Sequence, residues 1–206
     1  SRLQRHMDEL NIPSLSELVK RMGSVGGKSL QVRIIDAMTT NETLWFRDSH
    51  PFDILRNDIF PELAKERTRP LRIWSAACSS GQEPYTMSMV AQEYGMANPG
   101  KLAKGVEILA TDISKTVLEQ ARAATYDNMS LARGMSEERK LRYFRDLGNR
   151  QWELRKEIRE RVRFTELNLM QSYLSLGKFD VIFCRNVLIY FSADLKRDII
   201  GRLAKA

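Results

Sequence analysis

Two rhythms of apolar residues divide the chain. Up to about residue 65 the hydrophobic side chains recur at helical spacing, and from Leu71 onward short apolar runs alternate with amphipathic stretches. In the first part, Ser14-Leu-Ser-Glu17 is a capping box ahead of Leu15, Leu18, Val19 and Met22, and Gly23, Gly26 and Gly27 end that helix. Leu30, Ile34, Ile35 and Met38 mark a second helix, which Thr39-Thr-Asn41 breaks. A third is predicted from roughly Pro51 to Lys65. Together these helices predict a small bundle packed on a larger domain.

The second part predicts strands near 71–77, 106–111, 162–167 and 179–184, with helices near 84–94, 114–124, 136–145 and 193–205. Pro84 suits a first-turn position, and Ser114, Ser136 and Ser192 suit N-caps. Strand alternating with helix implies an α/β fold, a doubly wound and mostly parallel sheet covered on both faces. The expected division is 1–67, a helical domain and linker, and 68–206, the sheet domain. The strand at Phe179 to Cys184 would be left as an exposed edge, so the chain is expected to be a fragment whose sheet continues further.

Composition narrows the class. No run of about 18 apolar residues occurs and no apolar leader opens the chain, so a cytoplasmic protein without membrane insertion is expected. Cys78 and Cys184 stand alone, with only His6 and His50 as further soft ligands, which argues against disulfides and against a metal site. The net charge of +7 favours an acidic partner. Ten basic and four acidic residues fall between Arg139 and Arg163, around Tyr143, Phe144 and Trp152; this is either a solvated face or a docking surface.

The chemistry concentrates after the first strand, in Ile73-Trp-Ser-Ala-Ala-Cys-Ser-Ser-Gly-Gln-Glu-Pro-Tyr85. In an open parallel sheet the ligand lies beyond the carboxyl ends of the strands. A dinucleotide site would need three glycines for its pyrophosphate, but this loop has Gly81 alone, and Glu83 at the helix entrance repels phosphate. A cationic ligand without phosphate fits better, and S-adenosylmethionine is one. Glu83 can pair with its amine end, and Asp112, closing the second strand, can accept both ribose hydroxyls. Asn168 and Asn186 each follow a strand, as ligands for the adenine or amino acid end or as plain turn residues.

Five stretches carry a more specific likeness. Thr39-Thr-Asn-Glu-Thr-Leu-Trp-Phe-Arg47-Asp, Ser75-Ala-Ala-Cys-Ser-Ser-Gly-Gln-Glu-Pro-Tyr85, Ala110-Thr-Asp112-Ile, Leu167-Asn-Leu169 and Phe183-Cys-Arg-Asn-Val-Leu-Ile-Tyr-Phe191 together resemble the chemotaxis receptor methyltransferases, the CheR family. The resemblance implies a Rossmann-like methyltransferase domain with a small antiparallel insertion near 144–164. The implied activity is methyl transfer from S-adenosylmethionine to glutamate carboxylates of chemoreceptors, leaving S-adenosylhomocysteine.

By matching position, the resemblance gives Asn41, Thr43, Arg47, Glu83, Asp112, Asn168, Leu169, Arg185 and Asn186 to the cofactor, and places Arg47 and Tyr190 at the transferring methyl. The implied partner is the cytoplasmic helical domain of a chemoreceptor, met by a monomer; no nucleic acid is expected. Arg2, Arg5, Lys20 and Arg21 form a second candidate docking surface. Some family members grip a tethering peptide at the receptor's carboxyl terminus through a glycine-bearing loop of the insertion. Here Arg145-Asp-Leu-Gly148-Asn-Arg-Gln-Trp152 is compact with a single glycine, so independence of that tether is expected. A cofactor-sensing module without catalysis and a nucleic-acid methyltransferase remain the rival readings, while the missing glycines exclude a nicotinamide dehydrogenase.

Overall fold

A computed structural model describes residues 2–65 and 68–206. Three helices, α1 (Arg2–Glu9), α2 (Leu15–Met22) and α3 (Lys28–Met38), open the chain. Ser14 caps α2 by accepting the Glu17 N–H at 3.1 Å, as the capping box predicts. Their apolar stripes meet in a small core of Met7, Ile12, Leu18 and Ile34.

The predicted third helix is composite: α4 (His50–Ile54) passes through a wide π turn, Leu55–Ile59, into α5 (Phe60–Leu63). Pro61 has no N–H for the carbonyl four residues back, and the wider turn absorbs the defect, with the Phe60 N–H donating to Leu55 O. This stretch does not join the three-helix core. Phe52, Leu55 and Phe60 pack instead with Leu71, Ile73, Met87 and Val90 in the core of the sheet. The expected division at residue 67 lies outside the described residues.

The main sheet is fully parallel, with strand order β6-β2-β1-β7. Its strands are β1 (Leu71–Ala76), β2 (Val106–Asp112), β6 (Val162–Glu166) and β7 (Val181–Cys184), each within two residues of the sequence expectation. The register pairs Ile73 with Ile108 and with Val181, so the strand ends converge at Ala76, Asp112 and Cys184. Alternation along β1 separates two layers. Leu71 and Ile73 face α6 (Gln82–Ala97) and the α4–α5 stretch, whereas Trp74 and Ala76 face Ile199 of α11 (Ala193–Leu203). Helix α7 (Lys115–Ala123) covers β2 and β6 through Leu118, against Ala110 and Phe164. Among the described residues strand β7 pairs with β1 alone and so forms an edge, as expected.

The insertion is larger than its sequence suggests. The hairpin of β4 (Phe144–Gly148) and β5 (Gln151–Leu154) is joined by β3 (Thr125–Asp127), giving an antiparallel sheet of order β3-β5-β4. A three-residue strand ahead of the short helix α8 (Asn128–Ala132) has too few residues to show alternation, so the pattern missed it. Helices α9 (Glu137–Tyr143) and α10 (Lys156–Arg159) flank the hairpin. Half of the ten basic residues of the predicted cluster pair with acids as follows. Arg139 pairs with Glu93 at 2.7 Å, Lys140 with Glu137 at 3.1 Å, Arg142 with Glu138 at 2.8 Å, Arg145 with Glu153 at 2.5 Å and Lys156 with Glu160 at 3.3 Å.

The segment between α3 and α4 is pinned across this insertion. Trp45 is fully buried, its ring 4.9 Å from Tyr126 and 5.5 Å from Phe144, and its backbone N–H donates to Arg133 O at 3.0 Å. Gly134 makes the close approach possible: its φ is +97°, and a Cβ there would lie 2.0 Å from the Trp45 carbonyl oxygen. Gly134→Ala is therefore expected to cost about 2–4 kcal/mol, read as a lower urea midpoint with an unchanged slope. An unaltered midpoint would contradict this packing.

Candidate functional site

The turn leaving β1 is built from residues that avoid its conformation elsewhere. Ala77 (φ +61°), Ser79 (φ +51°) and Gly81 (φ +95°) all sit in the left-handed region. Hydrogen bonds hold them there: Cys78 N–H to Thr111 O at 2.9 Å, Gly81 N–H to Cys78 O at 3.2 Å, and the Tyr126 hydroxyl to Ser80 O at 2.8 Å. Gly81 has little alternative, because a Cβ would come within 3.0 Å of Ala121 and 3.2 Å of Tyr126 and Tyr85. Phe46, Asp48 and Asn186 also have positive φ, so strained backbone collects around one place.

That place is a cavity of about 340 Å³ beyond the carboxyl ends of β1, β2, β6 and β7. Every residue singled out from the sequence lines it: Asn41, Thr43, Arg47, Glu83, Asp112, Asn168, Leu169, Arg185, Asn186 and Tyr190. Sequence reasoning missed Met38, Ile113 and Val187, which line it as well. Their apolar character gave no sign of a role beyond core packing.

Asp112 closes β2 and is 7% exposed. Its Oδ2 accepts the Ser79 N–H at 2.8 Å and its Oδ1 the Ser114 N–H at 3.0 Å. Burial pushes its pKa up, against the pull of those backbone donors, while the charge of Asp36 adds to the rise. A carboxylate offers about four acceptor positions, so capacity remains for a ligand.

Glu83, in the first turn of α6, accepts the Ser75 hydroxyl at 2.7 Å and an Arg185 N–H at 3.1 Å. Burial is the main influence on its pKa and raises it, opposed by Ser75, by Arg185 and, from further off, by Arg47. Arg185 spends its fork inside the protein: one arm meets Glu83, the other Asp48 at 2.8 Å and Arg47 O at 2.7 Å. The end of β7, the start of α6 and the 39–49 segment are thereby joined through one guanidinium.

Arg47 is differently placed. Its guanidinium donates to Glu42 O at 3.2 Å and has no ion-pair partner among the described residues, which leaves charge to offer the cavity. Asn168 Oδ1 accepts the Met170 N–H at 2.9 Å, and Leu169 beside it is buried. The Asn41 carbonyl accepts the Ser79 hydroxyl at 2.9 Å, tying the 39–49 segment to the turn after β1. Tyr190 is 62% exposed on a single 3-10 turn, Leu188–Tyr190, at the cavity's rim. Neither cysteine is activated: burial pushes the Cys78 thiol well up and the Cys184 thiol to about 11. No group of three or more metal-ligating side chains occurs among the described residues.

Residues 41–206 match the family described as "CheR methyltransferase, SAM binding domain". The chain is 53% identical to "Chemotaxis protein methyltransferase 1" of Pseudomonas aeruginosa and 50% identical to "Chemotaxis protein methyltransferase Cher2" of Pseudomonas putida, covering 98% of this chain and 74% of each relative. It is 48% identical to "Chemotaxis protein methyltransferase 1" of Vibrio cholerae, over 99% of this chain and 74% of that protein.

The Glu83–Arg185 pair, 15% and 17% exposed at its side chains, yields a test of the site's electrostatics. Removing the cation leaves a buried carboxylate uncompensated, so Arg185→Met is expected to cost roughly 3 kcal/mol at pH 8. Without its partner the folded-state pKa of Glu83 rises further, so the penalty is present above that pKa and fades as pH falls and the carboxyl protonates. Chemical denaturation of both proteins at pH 8 and pH 5 checks this. A penalty that is equal at the two pH values would contradict it.

Proposed function

The chain belongs to the CheR methyltransferase family, and on that premise we propose that it esterifies glutamate side chains of chemoreceptors with a methyl group from S-adenosylmethionine. The observation that carries the reading is the convergence of the ten sequence-singled residues on one cavity with a buried carboxylate at the end of β2 and another at the start of α6. Cofactor and cavity suit each other chemically. Three acids, Glu42, Glu83 and Asp112, and three asparagine amides favour a ligand with an amine, a sulfonium and a sugar diol, and a phosphate would meet Glu83.

In this reading Asp112 takes the ribose hydroxyls through its unused acceptor positions, and Glu83, kept ionised by Arg185, faces the amine. Arg185 acts by orienting Glu83 and the Arg47 backbone. Asn41, Thr43, Asn168, Leu169 and Asn186 complete the cofactor's surroundings.

Bound S-adenosylmethionine supplies a methyl carbon made electrophilic by its sulfonium. The chain's own task is placement. A glutamate with a pKa of about 4.3 is already an anionic nucleophile at neutral pH, so no general base is required, consistent with the absence of an activated Cys or His at the cavity. Alignment alone can contribute roughly 7–11 kcal/mol. Arg47, whose fork has no carboxylate partner, holds the incoming carboxylate, and the Tyr190 hydroxyl at the rim aims it. Two charges vanish in the reaction, so exclusion of water by Met38, Leu169 and Val187 favours the product side.

The direct test is transfer of labelled methyl to receptor-bearing membranes, followed by release with mild base, as an ester requires. Arg47→Ala is expected to lower turnover about a hundredfold with little change in melting temperature. Near-normal transfer with unchanged cofactor affinity would overturn the role given to Arg47.

The tether is a separate matter. The hairpin turn is tight, with Gly148, Asn149 and Arg150 all at positive φ between β4 and β5. We therefore expect a receptor carboxyl-terminal pentapeptide to bind no more tightly than about 1 mM in calorimetry. Micromolar binding would show that the hairpin grips it.

A further inference from the structure

The acid at the end of β2 is held in turn by a residue of the amino-terminal helices. Asp36, in the last turn of α3, accepts the Ser114 hydroxyl at 2.5 Å through Oδ1 and the Thr116 hydroxyl at 2.6 Å through Oδ2. The same Ser114 hydroxyl accepts the Val117 N–H at 3.3 Å and so caps α7, while the Ser114 N–H donates to Asp112 Oδ1 at 3.0 Å. Ser114 is completely buried, so it has no water with which to exchange these bonds. A hydroxyl that gives its proton to a carboxylate becomes a stronger acceptor for the next N–H, so the bonds to Asp36 and from Val117 support each other and fix the residue whose backbone N–H holds Asp112.

We propose that Asp36 is a positioning residue for the cofactor site: by fixing the Ser114 rotamer and the start of α7, it keeps the Asp112 carboxylate aimed into the cavity. Asp36 does not line the cavity, so it acts on the cofactor site through the residues that it holds. The two oxygens of Asp36 divide the work. Oδ1 holds Ser114, whose backbone N–H donates to Asp112, whereas Oδ2 and Thr116 only fasten α3 to α7. The proposal rests on the reading of Asp112 as the acceptor of the ribose hydroxyls.

Binding of S-adenosylhomocysteine, measured by calorimetry on the whole chain together with methyl-transfer kinetics, tests it. Asp36→Ala should raise the dissociation constant and the donor KM about tenfold, as one lost hydrogen bond would, while kcat at saturating donor stays within about twofold. Thr116→Val, which breaks only the fastening bond, should lower the melting temperature and leave the dissociation constant unchanged. Should Asp36→Ala not fold, Asp36→Asn retains one acceptor and should show an increase of about threefold.

An unchanged constant in the Asp36 variants overturns the proposal. So does an equal increase in Thr116→Val, which would reduce Asp36 to fastening the helices. Asp112→Ala in the same titration separates the two levels of the argument. If Asp112→Ala binds as the parent does, the ribose reading itself falls; if it binds weakly while Asp36→Ala is unaffected, only the positioning role falls.

Discussion

A buried carboxylate gripped by backbone amides organises this molecule. Asp112 accepts the Ser79 N–H from the turn after β1 and the Ser114 N–H from the start of α7. Without that acceptor, two buried donors would go unpaired, at about 1–3 kcal/mol each. Ser79 and Ala77 also hold backbone conformations that L-residues avoid, and such strain persists only where surrounding bonds over-determine it. Parallel pairing of β2 with β1 brings Asp112 to the turn's level, so the register of the sheet places the acid and the acid fixes the turn.

The second carboxylate obeys a different rule. Glu83 is compensated by a cation, and Arg185 uses its remaining donors to draw in Asp48 and the Arg47 carbonyl. The segment that precedes the sheet domain thereby becomes a wall of the cavity, held from the far side by Trp45 against Tyr126 and Phe144. One acid is thus satisfied by neutral amides and the other by charge. Both line the cavity, Asp112 at 7% exposure and Glu83 with its side chain at 15%. In our reading this is the feature that selects a cationic methyl donor, and a negatively charged methyl acceptor is then left to Arg47, whose guanidinium has no carboxylate partner among the described residues.

Much of this was legible in the sequence, for identifiable reasons. Buried strands read as apolar runs, and the capping serines at 14, 114, 136 and 192 marked helix starts because their hydroxyls have a local task. Strand-end residues Asp112, Asn168 and Asn186 stood out because polar side chains just past a buried run have few structural reasons to be there, whereas Arg185 came only with the family resemblance. What stayed hidden depends on distance along the chain. The packing of Phe52, Leu55 and Phe60 into the sheet's core looks, in sequence, like one more amphipathic helix. Strand β3 is too short to alternate, and it pairs with β5, 26 residues away between Tyr126 and Trp152. The basic cluster around Arg139 suggested a charged face because the pattern does not show which of its cations pair with acids one helical turn away or across the hairpin, and because one partner, Glu93, comes from a distant helix. Asp36 gave no signal, since a lone acid in the last turn of a helix is unremarkable until Ser114 and Thr116 are found beside it.

The account turns on where the two buried acids sit relative to the bound donor. A crystal structure with S-adenosylhomocysteine decides it most directly. It should show the ribose hydroxyls on Asp112 and the amino group on the Glu83 side of the cavity, with the Ser79 and Ser114 amides still on Asp112. A ligand bound with both acids turned away, or seated outside this cavity, would contradict the claim.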